Sequence, residues 1–293
     1  MISQELQSVI AGTPADFASP EADFKAVRKT MAPFHGHPLG DGVIYAERDF
    51  GGIRCGTYTL EGAAESGKIM LHLHGGALVS CPLDDYHFYA EFILRRLGHQ
   101  VVMPDYRLAP EHPYPAAIED CLAAYRGLLD SGVAAGDIVV IGESCGGGLG
   151  INALLLARDI GLPMPSAFVS LTGWFDLSVS DAPVGTEPFL CPAWVRNRGA
   201  EFTGGKLALD DPRVSPCHAD LTGLPHLYLQ VGQFDTMAPS SLRLASNATL
   251  AGVQVTMESW PGMIQGWHGL VGTGAPESAA AWARIGAFIE GLR

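Results

Sequence analysis

From about residue 43 onward, short runs of apolar and β-branched residues alternate with longer stretches whose apolar positions recur every three or four residues. The runs at 42–49, 54–60, 68–74, 100–104, 137–142, 166–171, 226–231 and 253–258 predict eight strands. Several are continuously apolar, Ile138-Val139-Val140-Ile141 most plainly, as expected of central parallel strands covered on both faces. Helices are predicted at 86–97, 115–131, 239–251 and 278–292. The third opens with Pro239 and stops at Gly252, and the last carries Trp282, Ile285, Phe288 and Ile289 on one stripe. Strand–helix alternation of this kind predicts an α/β fold: a mostly parallel eight-stranded sheet covered by helices on both faces.

Two segments break the alternation. Residues 1–40 are polar and punctuated by proline, with a helical patch at 21–31. Residues 178–213 hold Pro183, Pro188, Pro192 and Pro212 together with the aromatics Phe189, Trp194 and Phe202. A long irregular stretch inside a compact domain is usually functional. The two segments together predict a cap over a core made of residues 41–177 and 214–293. With 293 residues, one domain spanning 1–293 is expected, since α/β folds reach about 250 residues as single units.

Charge and cysteine usage narrow the partners. The formal net charge of −13 predicts repulsion of nucleic acid and of acidic membrane surfaces. The six cysteines are scattered, without a Cys-x-x-Cys pair, which fits a reducing compartment better than a disulfide framework. The N-terminus shows no basic flank or apolar core of leader length, and apolar runs reach only about seven residues against the roughly 20 that span a bilayer. A cytoplasmic protein without a membrane partner is expected. Homodimerisation is left open.

The chemistry concentrates where strands end. Strand 137–142 runs into Gly142-Glu143-Ser144-Cys145-Gly146, a Gly-x-Ser-x-Gly turn with a helix after it. A serine held on such a turn is exposed at the sheet's edge, and the following helix N-terminus adds free N–H groups and partial positive charge. Upstream, Leu71-His72-Leu73-His74-Gly75-Gly76-Ala77 closes another apolar strand. Its glycines let backbone N–H groups face a cavity, where with the Cys145 N–H they can stabilise an oxyanion. His72 and His74 lack a third ligand nearby, so no metal and no organic cofactor are expected.

These residues, with Asp105-Tyr106-Arg107-Leu108-Ala109-Pro110-Glu111, Asp211-Pro212-Arg213-Val214-Ser215-Pro216, Gln230-Val231-Gly232-Gln233-Phe234-Asp235 and Trp260-Pro261-Gly262-Met263-Ile264, carry a resemblance. The chain resembles the hormone-sensitive-lipase-like bacterial esterases of the α/β-hydrolase fold, from about residue 43 to the C-terminus. The resemblance implies a carboxylic ester hydrolase acting on small or short-acyl esters through an acyl-enzyme. Ser144 matches the family nucleophile, Asp235 the triad acid, and Gly76, Ala77 and Cys145 the oxyanion donors. Ala77 and Cys145 depart from the usual glycine and alanine but keep the backbone N–H. His74, Gly75, Phe189, Trp194, Phe202 and Trp267 are expected along the substrate.

The pattern breaks at the base. The family histidine follows Gly-Met-x, and that register here holds Gln265 in Gly262-Met263-Ile264-Gln265-Gly266-Trp267-His268. A glutamine hydrogen-bonds but does not take the serine's proton. Three readings follow. His268 serves from three residues further on; a histidine has been replaced to trap a substrate or intermediate; or the base has been lost. The other elements are intact, which favours the second. A rival of another class is a small-molecule binding protein on a hydrolase scaffold, as in the plant gibberellin receptors, which lack this histidine.

Overall fold

The computed structural model describes residues 2–13, 17–32, 37–63, 67–181 and 189–292, the side chains of 271–273 excepted. One sheet contains eight strands in the order β1-β2-β4-β3-β5-β6-β7-β8. They are β1 (Val43–Phe50), β2 (Ile53–Leu60), β3 (Ile69–Leu73), β4 (Gln100–Pro104), β5 (Ile138–Glu143), β6 (Ala167–Leu171), β7 (His226–Gly232) and β8 (Val255–Trp260). β2 runs antiparallel to β1 and β4, and the remaining neighbours are parallel. This is the predicted α/β-hydrolase sheet, with strand ends within two residues of those read from the sequence. β5 and β6 are buried along their whole length, which is why both read as unbroken apolar runs.

Helices cover both faces. α3 (His87–Leu97) and α8 (Pro276–Glu290) pack Tyr89, Ile93, Trp282 and Ile285 against one side. α4 (Ala116–Asp130), α5 (Cys145–Asp159) and α7 (Ala238–Leu250) pack Tyr125, Leu149 and Leu244 on the other. Proline opens α7 and α8 at the first turn, where its missing N–H costs nothing, and Gly98 ends α3 in the left-handed conformation.

The two segments expected to be irregular are partly helical. α1 (Gln4–Gly12) is capped by the Ser3 hydroxyl and α2 (Phe24–Met31) by the Asp23 carboxylate. The stretch expected to lack structure contains α6 (Pro192–Thr203). Its start signal is Cys191-Pro192, with the Cys191 sulfur accepting the Trp194 N–H, and Gly204 is its stop. Residues 14–16, 33–36 and 182–188 of the expected cap, with Pro183 and Pro188, lie outside the described residues. The two segments meet: Asn197 and Arg198 of α6 donate to the carbonyls of Pro20 and Ala22 at 2.7 and 2.8 Å. Leu6 of α1 joins a small core with Met263, Ile264 and Trp267, so the N-terminus packs against the loop that carries Gln265. Among the described residues no helix is long and apolar enough to cross a membrane.

His268 belongs to this packing. It is fully buried, its Nε2 lies 2.8 Å from Gln230 Oε1 on β7, and its ring stacks near Trp267. Its carbonyl accepts from Ser278 and Trp282 of α8. Burial pushes the ring down to about 3 from 6.5. The unfolded chain therefore takes up a proton near pH 6.5 that the folded protein refuses until about pH 3, and stability falls as pH drops through that window. Urea unfolding between pH 6 and 4.5 is expected to show His268 contributing a loss of about 1.4 kcal/mol per pH unit. In His268→Gln the slope should flatten by that amount. An unchanged slope would mean that the folded protein accepts the proton.

Candidate active site

The chain must turn sharply between β5 and α5, and Ser144 makes the turn with φ 50° and ψ −118°. For a residue with a side chain this is a strained conformation, worth on the order of 1–3 kcal/mol. It is held by three backbone bonds: Ser144 N–H to the Leu171 carbonyl at 3.0 Å, and the Gly147 and Trp174 N–H groups to the Ser144 carbonyl at 3.0 and 2.8 Å. The elbow leaves no room for side chains at its flanks. A Cβ on Gly146 would sit 2.0 Å from the Leu73 carbonyl oxygen. The end of β3 and the start of α5 are thus in backbone contact, and Ser144 remains partly exposed at the rim.

The loop after β3 is pinned at both ends. Gly75 N–H donates to Glu143 at 3.2 Å, and Leu78 N–H donates to the Cys145 sulfur at 3.3 Å. Between them Gly76, Ala77 and then Leu78 all take positive φ, at 112°, 56° and 69°. Among the described hydrogen bonds none uses the N–H of Gly76, while the Ala77 N–H, like that of Leu78, faces the Cys145 sulfur. The Cys145 N–H is the first of α5 and has no intrahelical acceptor. The N–H groups of Gly76 and Cys145 therefore stand without an acceptor beside the Ser144 turn, with that of Ala77 next to them on the Cys145 sulfur. Glu143 is itself held by the Tyr86 hydroxyl at 3.0 and 3.2 Å, so a buried carboxylate braces the loop from behind. Its signal in the sequence is an acid closing an apolar strand.

Asp235 follows β7 and is fully buried; its Oδ1 accepts the Met237 N–H at 2.8 Å, which orients the carboxyl group. The loop after β8 is stitched to the same turn by Phe234 N–H to the Met263 carbonyl at 2.9 Å. Gln265 Nε2 donates to the Thr172 carbonyl at 3.2 Å, and Gly266 N–H to the Thr172 hydroxyl at 3.2 Å. Thr172 directly follows Leu171, whose carbonyl holds Ser144, so Gln265 is tied to the elbow through one short segment. Thr172, at φ 49°, is a linking residue that no sequence motif announced.

Position bears on three of the expected roles. His268 is enclosed by Trp267 and α8 and engages Gln230, not the Ser144 elbow, so the structure does not offer it as the base. Trp267 is 1% exposed in the cluster with Leu6 and is a packing residue. His74 is 0% exposed and stacked on Tyr106 at 4.1 Å, with its Nδ1 2.6 Å from the Gly75 carbonyl. Burial pushes it down to about 3, so it supports the loop as a neutral ring. Of the expected aromatics, Phe202 borders a crevice beside Cys145. Phe189 packs edge-on against Phe17, and Trp194 is buried beneath Arg198. Away from the elbow, Asp176, Cys217 and His218 converge, but the Asp176 carboxylate already accepts from Ser178 and pairs with Arg243 at 3.1 Å, a cation where a metal would have to sit.

The family model described as the α/β-hydrolase fold matches residues 70–269, from β3 through the loop after β8, and the chain belongs to that family. A curated acetyl-hydrolase from Streptomyces hygroscopicus is 36% identical over 243 residues, covering 79% of this chain and 80% of its own length. Among solved structures, a mutant of the esterase E40 matches with TM-score 0.91 and 33% identity, covering 99% of this chain and 98% of that one. An esterase from the bacterial hormone-sensitive lipase family matches with TM-score 0.87 and 33% identity, covering 100% and 99%. The chain is a serine carboxylesterase of this fold.

Because the elbow and the β3 loop touch through backbone, Gly146→Ala is expected to destabilise the protein by about 3 kcal/mol in denaturant titration and to cut ester turnover with it. A stable, fully active alanine variant would show that the contact is not what sets the loop.

Proposed function

We infer that the chain hydrolyses small or short-acyl carboxylic esters through an acyl-enzyme on Ser144, in a form slowed by Gln265 at the place of the general base. The observation that carries this reading is the partly exposed serine on a strained elbow beside the Gly76, Ala77 and Cys145 amide groups. Ser144 Oγ bonds to the ester carbonyl carbon as its proton passes to a solvent water, which later returns it to the leaving alkoxide, and the carbonyl electron pair moves to an oxygen held by the Gly76, Ala77 and Cys145 N–H groups. The tetrahedral intermediate collapses with loss of the alcohol, which takes a proton. Water then adds to the acyl carbonyl, the acid leaves, and Ser144 regains its hydrogen. Asp235 is the acid that would orient a basic ring at position 265. A carboxamide there holds its place by hydrogen bonds but accepts no proton at neutral pH. What remains is oxyanion stabilisation and binding, which supply roughly 10³–10⁴ over water in such enzymes.

Short acyl groups are supported by the acetyl-hydrolase name of the Streptomyces relative. Residues 1–40 and 178–213 are proposed to act as the cap, supported by the bonds between α6 and residues 20–22 and by Phe202 at the crevice. Gln265 is the one observation that favours a second reading, a non-catalytic binding protein on this scaffold.

The two readings separate on one variant. Gln265→His is expected to raise kcat on p-nitrophenyl acetate by 10²–10⁴-fold, the usual worth of a general base. Its kcat/KM profile should gain an acidic limb near pH 6.5 that the glutamine chain lacks, since His74 and His268 both titrate at about 3. No gain in rate together with an unchanged profile would favour the binding protein.

A further inference from the structure

Of the six non-glycine residues with positive φ among those described, three fall in the loop after β3: Ala77, Leu78 and Cys81. Strained backbone of this kind persists only where its surroundings impose it. Most of the constraint comes from the core. The Leu78 N–H donates to the Cys145 sulfur at 3.3 Å, the Ala109 N–H to the Leu78 carbonyl at 3.0 Å, and the Val79 and Ser80 N–H groups to the Gly76 carbonyl at 3.2 and 3.0 Å. One contact comes from further off. Arg28 of α2 donates its Nε–H to the Val79 carbonyl at 2.7 Å. Among the described hydrogen bonds it is the one that joins residues 1–40 to this loop.

The guanidinium is aimed by its other contacts. Nη1 and Nη2 grip the Glu111 carboxylate at 2.8 and 2.7 Å, and Nη2 also donates to the Ala109 carbonyl at 3.2 Å. Its plane lies over the Phe24 ring at 4.9 Å, and the neighbouring Val27 is anchored in the main core. A planar fork held at its far end points Nε in one direction, which the single ammonium of a lysine does not do. The Arg28 and Glu111 side chains are 36% and 49% exposed, and a pair that exposed contributes little to stability. Its consequence lies in where it holds the Val79 carbonyl, two hydrogen bonds from the Gly76 peptide.

We propose that Arg28 is a positioning residue: by holding the Val79 carbonyl it fixes the direction of the Gly76 and Ala77 N–H groups, so that α2 tunes transition-state stabilisation without touching the substrate. The proposal rests on the esterase reading above. Deleting an oxyanion donor lowers kcat roughly 10²–10³-fold, and a donor that is only displaced costs less, about tenfold. The loss falls on kcat and leaves KM alone, as for an interaction formed only in the transition state.

The test places Arg28→Met, which keeps an apolar stem but no donor, in the Gln265→His background with p-nitrophenyl acetate. kcat is expected to fall about tenfold at unchanged KM. Arg28→Ala is expected to regain most of that loss in methylguanidinium chloride, since the place of the lost group is open to solvent. An arginine of purely structural use would lower the melting temperature instead. An unchanged kcat, a loss carried by KM, or no response to methylguanidinium would overturn the proposal. If Arg28→Met does not fold, Glu111→Gln loosens the same fork from its far end; a kcat loss of about threefold supports the proposal and an unchanged kcat overturns it. Hydrogen exchange is read alongside and needs no turnover: the Val79 and Ser80 amides should exchange about tenfold faster in Arg28→Met, with the β5 amides unchanged. Should Gln265→His turn over no ester even with Arg28 in place, the esterase reading is what has failed, and exchange alone decides. Faster exchange in the loop then supports Arg28 as the residue that sets it, and equal exchange overturns it.

Discussion

The backbone of Ser144 occupies a conformation that a residue with a Cβ adopts only under constraint, and much of the surrounding structure supplies that constraint. Its N–H and carbonyl are bonded to Leu171 and Trp174 at the end of β6, while Gly146 lies directly against the carbonyl of Leu73 at the end of β3. Gly142 is equally confined, with a Cβ there falling 2.7 Å from the Gly147 Cα. Three strand ends therefore converge on one turn without intervening side chains. The serine and the three amide donors are placed by the sheet itself, and no flexible side chain has to be ordered to assemble them.

The same dryness that holds the backbone sets the protonation states around it. Burial keeps His74 and His268 neutral at physiological pH, each pushed down to about 3. It pushes the Cys145 thiol up to about 12, so the residue beside Ser144 is a thiol and not a competing thiolate nucleophile. Its sulfur instead accepts the Leu78 N–H and fixes the far end of the loop after β3. The departure from alanine at this position thus adds a brace to the loop without adding a reactive group.

The sheet was legible because its central strands are enclosed on both faces and must be apolar throughout: Ile138–Glu143 could scarcely be anything else. The elbow and the β3 loop were legible because their geometry demands glycine at set spacings. Helix α6 was not, since its amphipathic pattern is interrupted by polar residues such as Arg198, buried against the Ala22 carbonyl and Glu201 instead of facing water. His268 and Trp267 lay in a motif that drew attention to them, but their enclosure depends on packing against α1 and α8, which the motif does not show. Thr172 and Glu143 act through contacts between separate segments, and only Glu143 carries a local sign, an acid closing an apolar strand.

The central claim is that the hydroxyl of Ser144 is the group which attacks an acyl centre. Intact-protein mass spectrometry after prolonged incubation with an alkyl p-nitrophenyl phosphonate reads it directly, because the adduct is stable and needs no turnover. The account predicts a single added phosphonyl group that maps to the peptide containing Ser144 and is absent from Ser144→Ala. An adduct that persists in that variant, or maps to Cys145, would contradict it.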